Sequence, residues 1–109
     1  MKYLKSFEKL QKLPQIGDYV ICKDSFFSNE DGILDFLDSN VGQIKNIDKS
    51  VDGKNGYDVV YQNIPKKLVS YFDWNDSESK IYMREKEIIY FSHDKNEIEL
   101  KLISKKFNI

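Results

Sequence analysis

The fold of this chain is decided by residues 41–64, which read VGQIKNIDKSVDGKNGYDVVYQNI. Apolar and polar side chains alternate toward both ends of the stretch, as is typical of half-buried strands. Its centre carries an Asp-Gly pair at residues 52–53 and an Asn-Gly pair at residues 55–56, and both pairs tolerate the positive φ of hairpin turns. We therefore predict a β-hairpin in which every second side chain from Tyr57 to Tyr61 faces the same way.

The start of the chain has helical spacing. Residues 3–13, YLKSFEKLQKL, place apolar side chains three or four positions apart, which predicts a short amphipathic helix. Pro14 ends it, because the residue before a proline is pushed out of the helical region. We treat residues 1–14 as an N-terminal amphipathic helix or leader-like segment, and residues 15–109 as one domain.

A first strand and an irregular excursion connect this helix to the hairpin. Gly17-Asp18 predicts a turn, and residues 19–22, YVIC, predict a strand. Residues 25–40, SFFSNEDGILDFLDSN, are too apolar for a solvated loop, and we expect one helical turn near residues 33–37.

Downstream of the hairpin the period changes again. Pro65 suits the first turn of a short helix over KKLVSYF, residues 66–72. KIYM at residues 80–83 and EIIYFS at residues 87–92 predict strands four and five, joined by a charged corner.

The C-terminal stretch EIELKLI, residues 97–103, supports two interpretations. It alternates as an edge strand would. However, Asp94 and Glu97 have the spacing of a capping box, and Glu97 and Lys101 stand at a favourable helical separation. We expect a helix from about residue 95 to residue 105.

This organisation resembles an SH3-like barrel. The residues that carry the resemblance are Gly17-Asp18-Tyr19-Val20, Val41-Gly42-Gln43-Ile44 and Tyr57 to Tyr61. The first two segments also resemble a KOW motif, in which a GDxV strand leads through a loop to a second Gly-led strand. The resemblance implies an α+β fold, a small SH3-like β-barrel of about five strands with N-terminal and C-terminal helices.

Composition bounds the possible functions. The 109 residues carry a net charge of −1, which supplies no overall field for nucleic acid or membrane surfaces. Residues 1–13 are basic and residues 24–38 are acidic, so the two stretches could pair with each other or steer a partner.

The single cysteine, Cys22, lies in a predicted strand and is expected to be a buried small hydrophobe. No secretory signal or disulfide framework is seen, which favours a reducing, intracellular setting.

The chain as a whole is similar to short uncharacterised proteins of large tailed bacteriophages. The similarity lies in MKYLKSFEKL, GDYVICKD, VYQNIP, EIIYFS and ISKKFNI. The opening resembles leaders that send internal proteins into a phage capsid, although no Leu-x-Glu or Ile-x-Glu cleavage tripeptide occurs before Val20. The resemblance implies a viral protein located in the host cytoplasm or the virion.

No pattern indicates catalysis or a cofactor. Ser92, His93 and Asp94 are consecutive, and adjacent side chains diverge where a triad must converge. Residues 48–53, DKSVDG, imitate the start of a calcium loop, but position twelve is Val59 where a bidentate glutamate is needed. Cys22 and His93 alone cannot complete a zinc site. We expect a non-enzymatic protein with no cofactor and no metal, with His93 in a turn.

Binding is the class that remains. Tyr71, Phe72 and Trp74 cluster after the proline-led helix and are candidate contacts for a protein partner, although each could instead fill the core. We predict a phage accessory protein that acts by protein–protein interaction, as a minor virion component or a host-directed factor. The alternative is a nucleic-acid-binding KOW-like barrel. It would need one basic face built from Lys45, Lys49, Lys54, Lys66 and Lys67.

Overall fold

The computed structural model describes residues 13–23, 31–49, 53–75 and 78–107. The predicted N-terminal helix or leader-like segment lies outside the described residues, apart from its last two positions. There Leu13 is exposed and Pro14 is buried.

The predicted hairpin is present as strands β2 (Gly42–Lys49) and β3 (Asn55–Val60). Ile44 pairs with Val59 and Ile47 with Tyr57, and the register shifts by one residue between Ile44 and Asn46. Gly53 has the expected positive φ, but the Asn55-Gly56 pair belongs to β3 instead of the turn. The ring of Tyr82 lies over Gly56, in the place where a side chain would stand.

The remaining strands extend this hairpin in both directions. They are β1 (Tyr19–Cys22), β4 (Asp73–Asn75), β5 (Glu78–Arg84) and β6 (Ile88–Ser92). Together they form one antiparallel sheet in the order β4-β5-β3-β2-β1-β6. The sheet therefore has one strand more than predicted, because the polar stretch before Lys80 contributes β4 and the start of β5. Within the described residues no strand pairing joins β6 to β4, so the sheet is not closed.

Two 3₁₀ helices set the corners of the sheet. Lys66–Tyr71 forms the predicted proline-led helix, in which the Leu68 N–H donates to the Pro65 carbonyl at 2.9 Å. Glu85–Glu87 replaces the predicted charged corner between β5 and β6. The buried Glu87 carboxylate accepts hydrogen bonds from the Arg84 backbone N–H at 2.8 Å and from its Nε at 3.3 Å.

The core lies on one face of the sheet, beneath α1 (Ile33–Asp38), the helical turn expected in the acidic excursion. Three rings meet there. Phe36 and Tyr61 are tilted with ring centres 5.7 Å apart, and Phe72 packs edge to face with Phe36 at 6.1 Å and with Tyr61 at 6.0 Å. Cys22 is fully buried in this cluster, which confirms its expected role.

The C-terminal segment is a helix, α2 (Lys95–Phe107), as predicted. Asp94 Oδ1 caps it by accepting the Asn96 N–H at 2.9 Å. The Glu97 carboxylate accepts from the Ser92 hydroxyl at 3.2 Å and does not close the expected capping box. None of the described helices has the length and apolar character needed to cross a membrane.

Helix α2 packs on β1 and β6, on the side of the sheet opposite the core. Val20 and Cys22 of β1 belong to the core, whereas Ile21 between them is fully buried outside it. Successive side chains of a strand point to opposite faces. Ile21 therefore faces α2, where Ile98 is also fully buried. We call this second side the outer face of the sheet.

Candidate binding groove

A groove of about 490 Å³ lies between α2 and the outer face of the sheet. We call it the α2 groove. Its floor includes Gln43 and Val60, which pair across β2 and β3 and alternate with the buried Ile44 and Val59. Its helical wall is formed by Lys95, Glu99, Leu102 and Ile103, and its rim by Tyr19, Ser39, Asn40, Val41, Gly42, Lys45, Gln62, Asn63 and Glu78.

Polar contacts fix the floor and rim. Gln43 Nε2 donates to the Gly17 carbonyl at 3.1 Å, and Asn40 Nδ2 donates to the Phe36 carbonyl at 2.8 Å. Lys45 and Glu78 form an exposed ion pair at 3.7 Å. Asn63 has a φ of 57°, a left-handed conformation that asparagine tolerates better than most residues. The two hydrogen bonds fix the side chains of Gln43 and Asn40 on the sheet side of the groove.

Helix α2, the other wall, is held by an ion pair near each end. Before its first turn, His93 Nδ1 pairs with Asp18 Oδ1, and near its last turn Lys105 pairs with Asp38. The Asp18 side chain is completely buried, and its other oxygen accepts the Gln15 N–H at 2.9 Å. His93 lies in the predicted turn, but no local pattern relates it to Asp18, 75 positions earlier in the chain.

The groove lining is amphiphilic. Val60 and Leu102 offer half-buried apolar surface, and Ile103 offers exposed apolar surface. The amides of Gln62 and Asn63 add donors and acceptors at the rim. Two lysines and two glutamates line the groove, so its formal charge is balanced.

Two core tyrosines have perturbed acidity. Burial raises the pKa of Tyr61 well above its usual value, and the adjacent Cys22 thiol raises it further. Burial also raises the pKa of Tyr57; the hydrogen bond from Asn55 Nδ2 at 3.3 Å opposes this effect, and Glu85 adds to it. Both groups belong to the core side of the sheet, so they contribute to stability and lie away from the groove.

The predicted aromatic contacts fall in different environments. Tyr71 is half-buried, and its hydroxyl donates to Asp31 Oδ2 at 2.8 Å. Phe72 is only 5% exposed and packs in the core, so its ring offers a partner almost no surface. Trp74 lies in β4, where it pairs with Ser79. Neither Tyr71 nor Phe72 lines the α2 groove.

The lysines of the alternative hypothesis are spread over several elements. Lys45 lies in the groove beside Glu78. Lys49 and Lys54 flank the hairpin turn at one end of β3, whereas Lys66 and Lys67 follow its other end. The structure therefore does not gather these five residues on one element or at one end of the hairpin.

Sequence reasoning missed the α2 groove because it depends on where α2 docks. A sequence signal did exist at Ile103, which lines the groove and does not share the helix face of the buried Ile98. Among the described residues, no three His, Cys, Asp or Glu side chains group closely enough to hold a metal ion.

Comparison with protein-family models, curated proteins and solved structures found no significant match.

Proposed function

We propose that this chain is a non-enzymatic accessory protein of a tailed bacteriophage that acts by protein–protein interaction, in the virion or on a host protein. The observation that carries the binding part is the α2 groove, an amphiphilic surface between a docked helix and a sheet. The viral origin is supported by the resemblance of the chain's opening and closing segments to phage proteins.

The chemistry of the groove favours a protein segment as its occupant. Half-buried Val60 and Leu102 can receive an apolar side chain, while Gln62 and Asn63 can hydrogen-bond to a backbone. A polyanion would need an excess of cations. Lys45 and Lys95 are matched by Glu78 and Glu99, and Lys45 is already paired.

We further infer an SH3-like architecture for the sheet. Two features support it: β1 lies between β2 and the last strand, β6, and a 3₁₀ turn precedes that strand. Both features bring the end of the chain back beside its first strand. Nuclear Overhauser contacts between β6 and the β4–β5 edge in solution would establish closure, and their absence would leave an open sheet.

The experiment on the groove uses a matched pair of variants. Val60→Lys places a long side chain on the groove floor, whereas Asp58→Lys places a lysine two residues earlier on the same face of β3, outside the groove lining, and makes the larger change in charge. Tagged wild type and both variants are purified from phage-infected cells, and captured proteins are identified by mass spectrometry. We expect a partner with wild type and Asp58→Lys that is lost with Val60→Lys.

Capture that survives Val60→Lys, or that is lost equally in both variants, would refute the groove as the contact surface.

The nucleic-acid alternative is tested by titrating duplex DNA and single-stranded RNA at two salt concentrations. Binding that weakens steeply with salt would favour the alternative and count against the proposal. No salt-dependent binding is expected.

A further inference from the structure

Some of the polar groups that line the α2 groove are already satisfied within the fold. The side-chain amides of Gln43 and Asn40 donate to backbone carbonyls of the chain itself. Lys45 and Glu78 are paired with each other at 3.7 Å. The groups that remain for an occupant therefore lie on α2 and on the residues that follow β3.

Helix α2 presents one free cation and one free anion to the groove. Lys95 and Glu99 both line the groove, and both are exposed. Among the described residues, neither side chain forms an ion pair or a hydrogen bond. They stand four positions apart, so they are neighbours on one side of the helix.

The helix itself gains little from these two charges. Lys95 lies in the first turn of α2, where the helix dipole disfavours a cation. A lysine four residues before a glutamate is also the weaker order for a charge pair along a helix. The placement of Lys95 and Glu99 is therefore better explained by an occupant of the groove than by the stability of α2.

The rest of the free lining is apolar or carries amides. Val60 and Leu102 are half-buried and can receive an apolar side chain. Gln62 and Asn63 are exposed, and within the described part of the chain their side chains make no hydrogen bond. An occupant that satisfies all these groups needs an acid, a base, an apolar side chain and a peptide backbone.

We infer that the α2 groove selects a partner segment in which an apolar residue stands between an acidic and a basic residue. This inference rests on the proposed function and adds the chemistry of the partner. The acid pairs with Lys95, the base pairs with Glu99, and the apolar side chain covers Val60 and Leu102. Residues two apart in an extended segment are separated by about 6.8 Å, close to the spacing of about 5–6 Å between neighbouring side chains on a helix.

The test is fluorescence anisotropy of labelled peptides titrated with the full chain to near-millimolar concentration. The peptides are blocked at both ends, share Gly-Ser flanks and differ only at their centres, which are Asp-Leu-Lys, Lys-Leu-Asp, Asp-Leu-Asp and Lys-Leu-Lys. The two mixed-charge orders allow for either direction of the segment. We expect the better of them to bind about fivefold more tightly than either like-charge peptide, because a like-charge peptide gains one ion pair and meets one repulsion.

Charge reversal in the groove should switch this preference. Glu99→Lys leaves two cations and should favour Asp-Leu-Asp, whereas Lys95→Glu leaves two anions and should favour Lys-Leu-Lys. The matched controls are Glu97→Lys and Lys101→Glu, which make the same changes at exposed positions of α2 outside the groove lining. Both controls should keep the wild-type preference, and circular dichroism verifies that each variant is folded.

Equal binding of the four peptides, or no binding of any of them, would overturn the inference. A preference that the two control variants change as strongly as the groove variants would overturn it as well. If partner capture still depends on Val60 in any of these cases, the proposed function stands. Charge-selective peptide binding together with capture that survives Val60→Lys would count against the proposed function alone.

Discussion

The inner face of the sheet, which carries the core, and the outer face each contain a glycine that lies beneath a neighbouring side chain. The two sites differ in whether that side chain can move away. On the inner face, a Cβ at Gly42 would collide with Val59 and Tyr61, which are both buried in the core. On the outer face, a Cβ at Gly56 would meet the ring of Tyr82, which is 51% exposed. The core is close-packed and cannot give way, whereas Tyr82 can rotate into solvent.

The largest loss in the free energy of unfolding is expected at Gly42, the glycine on the inner face. Gly42→Ala forces Val59 and Tyr61 apart, and overpacking of this kind lowers the free energy of unfolding by about 3 kcal/mol. The measurement is the urea unfolding midpoint, followed by circular dichroism. A loss no greater than that of Gly56→Ala would contradict the difference between the two faces.

A smaller loss in the free energy of unfolding is expected where polar contacts hold α2 on the outer face. His93→Ala removes the ion-pair partner of the buried Asp18 carboxylate. We expect a loss of about 1.5 kcal/mol in the free energy of unfolding, because water can reach the vacated exposed position and partly solvate the carboxylate. Thermal unfolding at a fixed pH measures this loss.

Asp18→Asn provides the matched comparison for His93→Ala. The amide keeps the size of the side chain and removes the buried charge. If the pair acts through charge, adding His93→Ala to Asp18→Asn should have less effect than His93→Ala has in the wild type. Strictly additive losses would show that the two residues do not stabilise each other.

Gly56, the glycine on the outer face, should tolerate substitution better than Gly42. Gly56→Ala displaces the Tyr82 ring, but alanine also restricts the unfolded chain, so we expect a net change below about 1 kcal/mol. In a Tyr82→Ser background the ring is absent, and Gly56→Ala should no longer destabilise the protein. A large loss in that background would mean that the backbone, and not the ring, excludes a side chain at Gly56.

The smallest effect at neutral pH is expected for Tyr61→Phe. Among the described residues the buried hydroxyl has no hydrogen-bond partner stronger than the Cys22 thiol, so its removal should change the free energy of unfolding by less than about 0.5 kcal/mol. Alkaline pH should reveal a difference, because the folded pKa of Tyr61 is raised above 10.0. The neutral phenol is the form that the fold stabilises.

The direction of this pH dependence follows from linkage. The contribution of Tyr61 is fully present below about pH 10 and is lost as the pH rises toward the folded pKa. Tyr61→Phe should therefore lose less stability than wild type above pH 10 in urea titrations. Tyr82→Phe, at an exposed position, is the control and should follow wild type. Parallel curves for wild type and Tyr61→Phe would refute the prediction.

Local sequence patterns predicted most of the helices and strands. Alternation identified β2 and β3, and capping residues with helical charge spacing favoured α2 over an edge strand. The three residues of β4 were missed, because a strand this short has no periodicity of its own and forms by pairing with β5. The Asn55-Gly56 pair was assigned to the turn, because the ring of Tyr82 that requires Gly56 is distant in sequence.

The site was less predictable than the fold. Aromatic residues suggested Phe72 as a contact, but its ring completes the core with Phe36 and Tyr61. The groove lies between α2, which packs on β1 and β6, and residues of β2 and β3, and the pairs His93–Asp18 and Lys105–Asp38 join α2 and the residues before it to the rest of the fold. Each pair joins parts of the chain that no local pattern relates.

The position of β1 between β2 and β6 has a consequence for how the chain is made. The pairing of Tyr19 with Ser92 joins partners separated by most of the described sequence. On a ribosome, the β2–β3 hairpin can form as soon as it emerges and can pair with β1, but β1 gains its second neighbour, β6, and the cover that α2 provides for Ile21 only later. Long-range pairings of this kind slow folding and leave strand edges open meanwhile. The first strand of the described residues is thus completed only when β6 and α2, much later in the sequence, are in place.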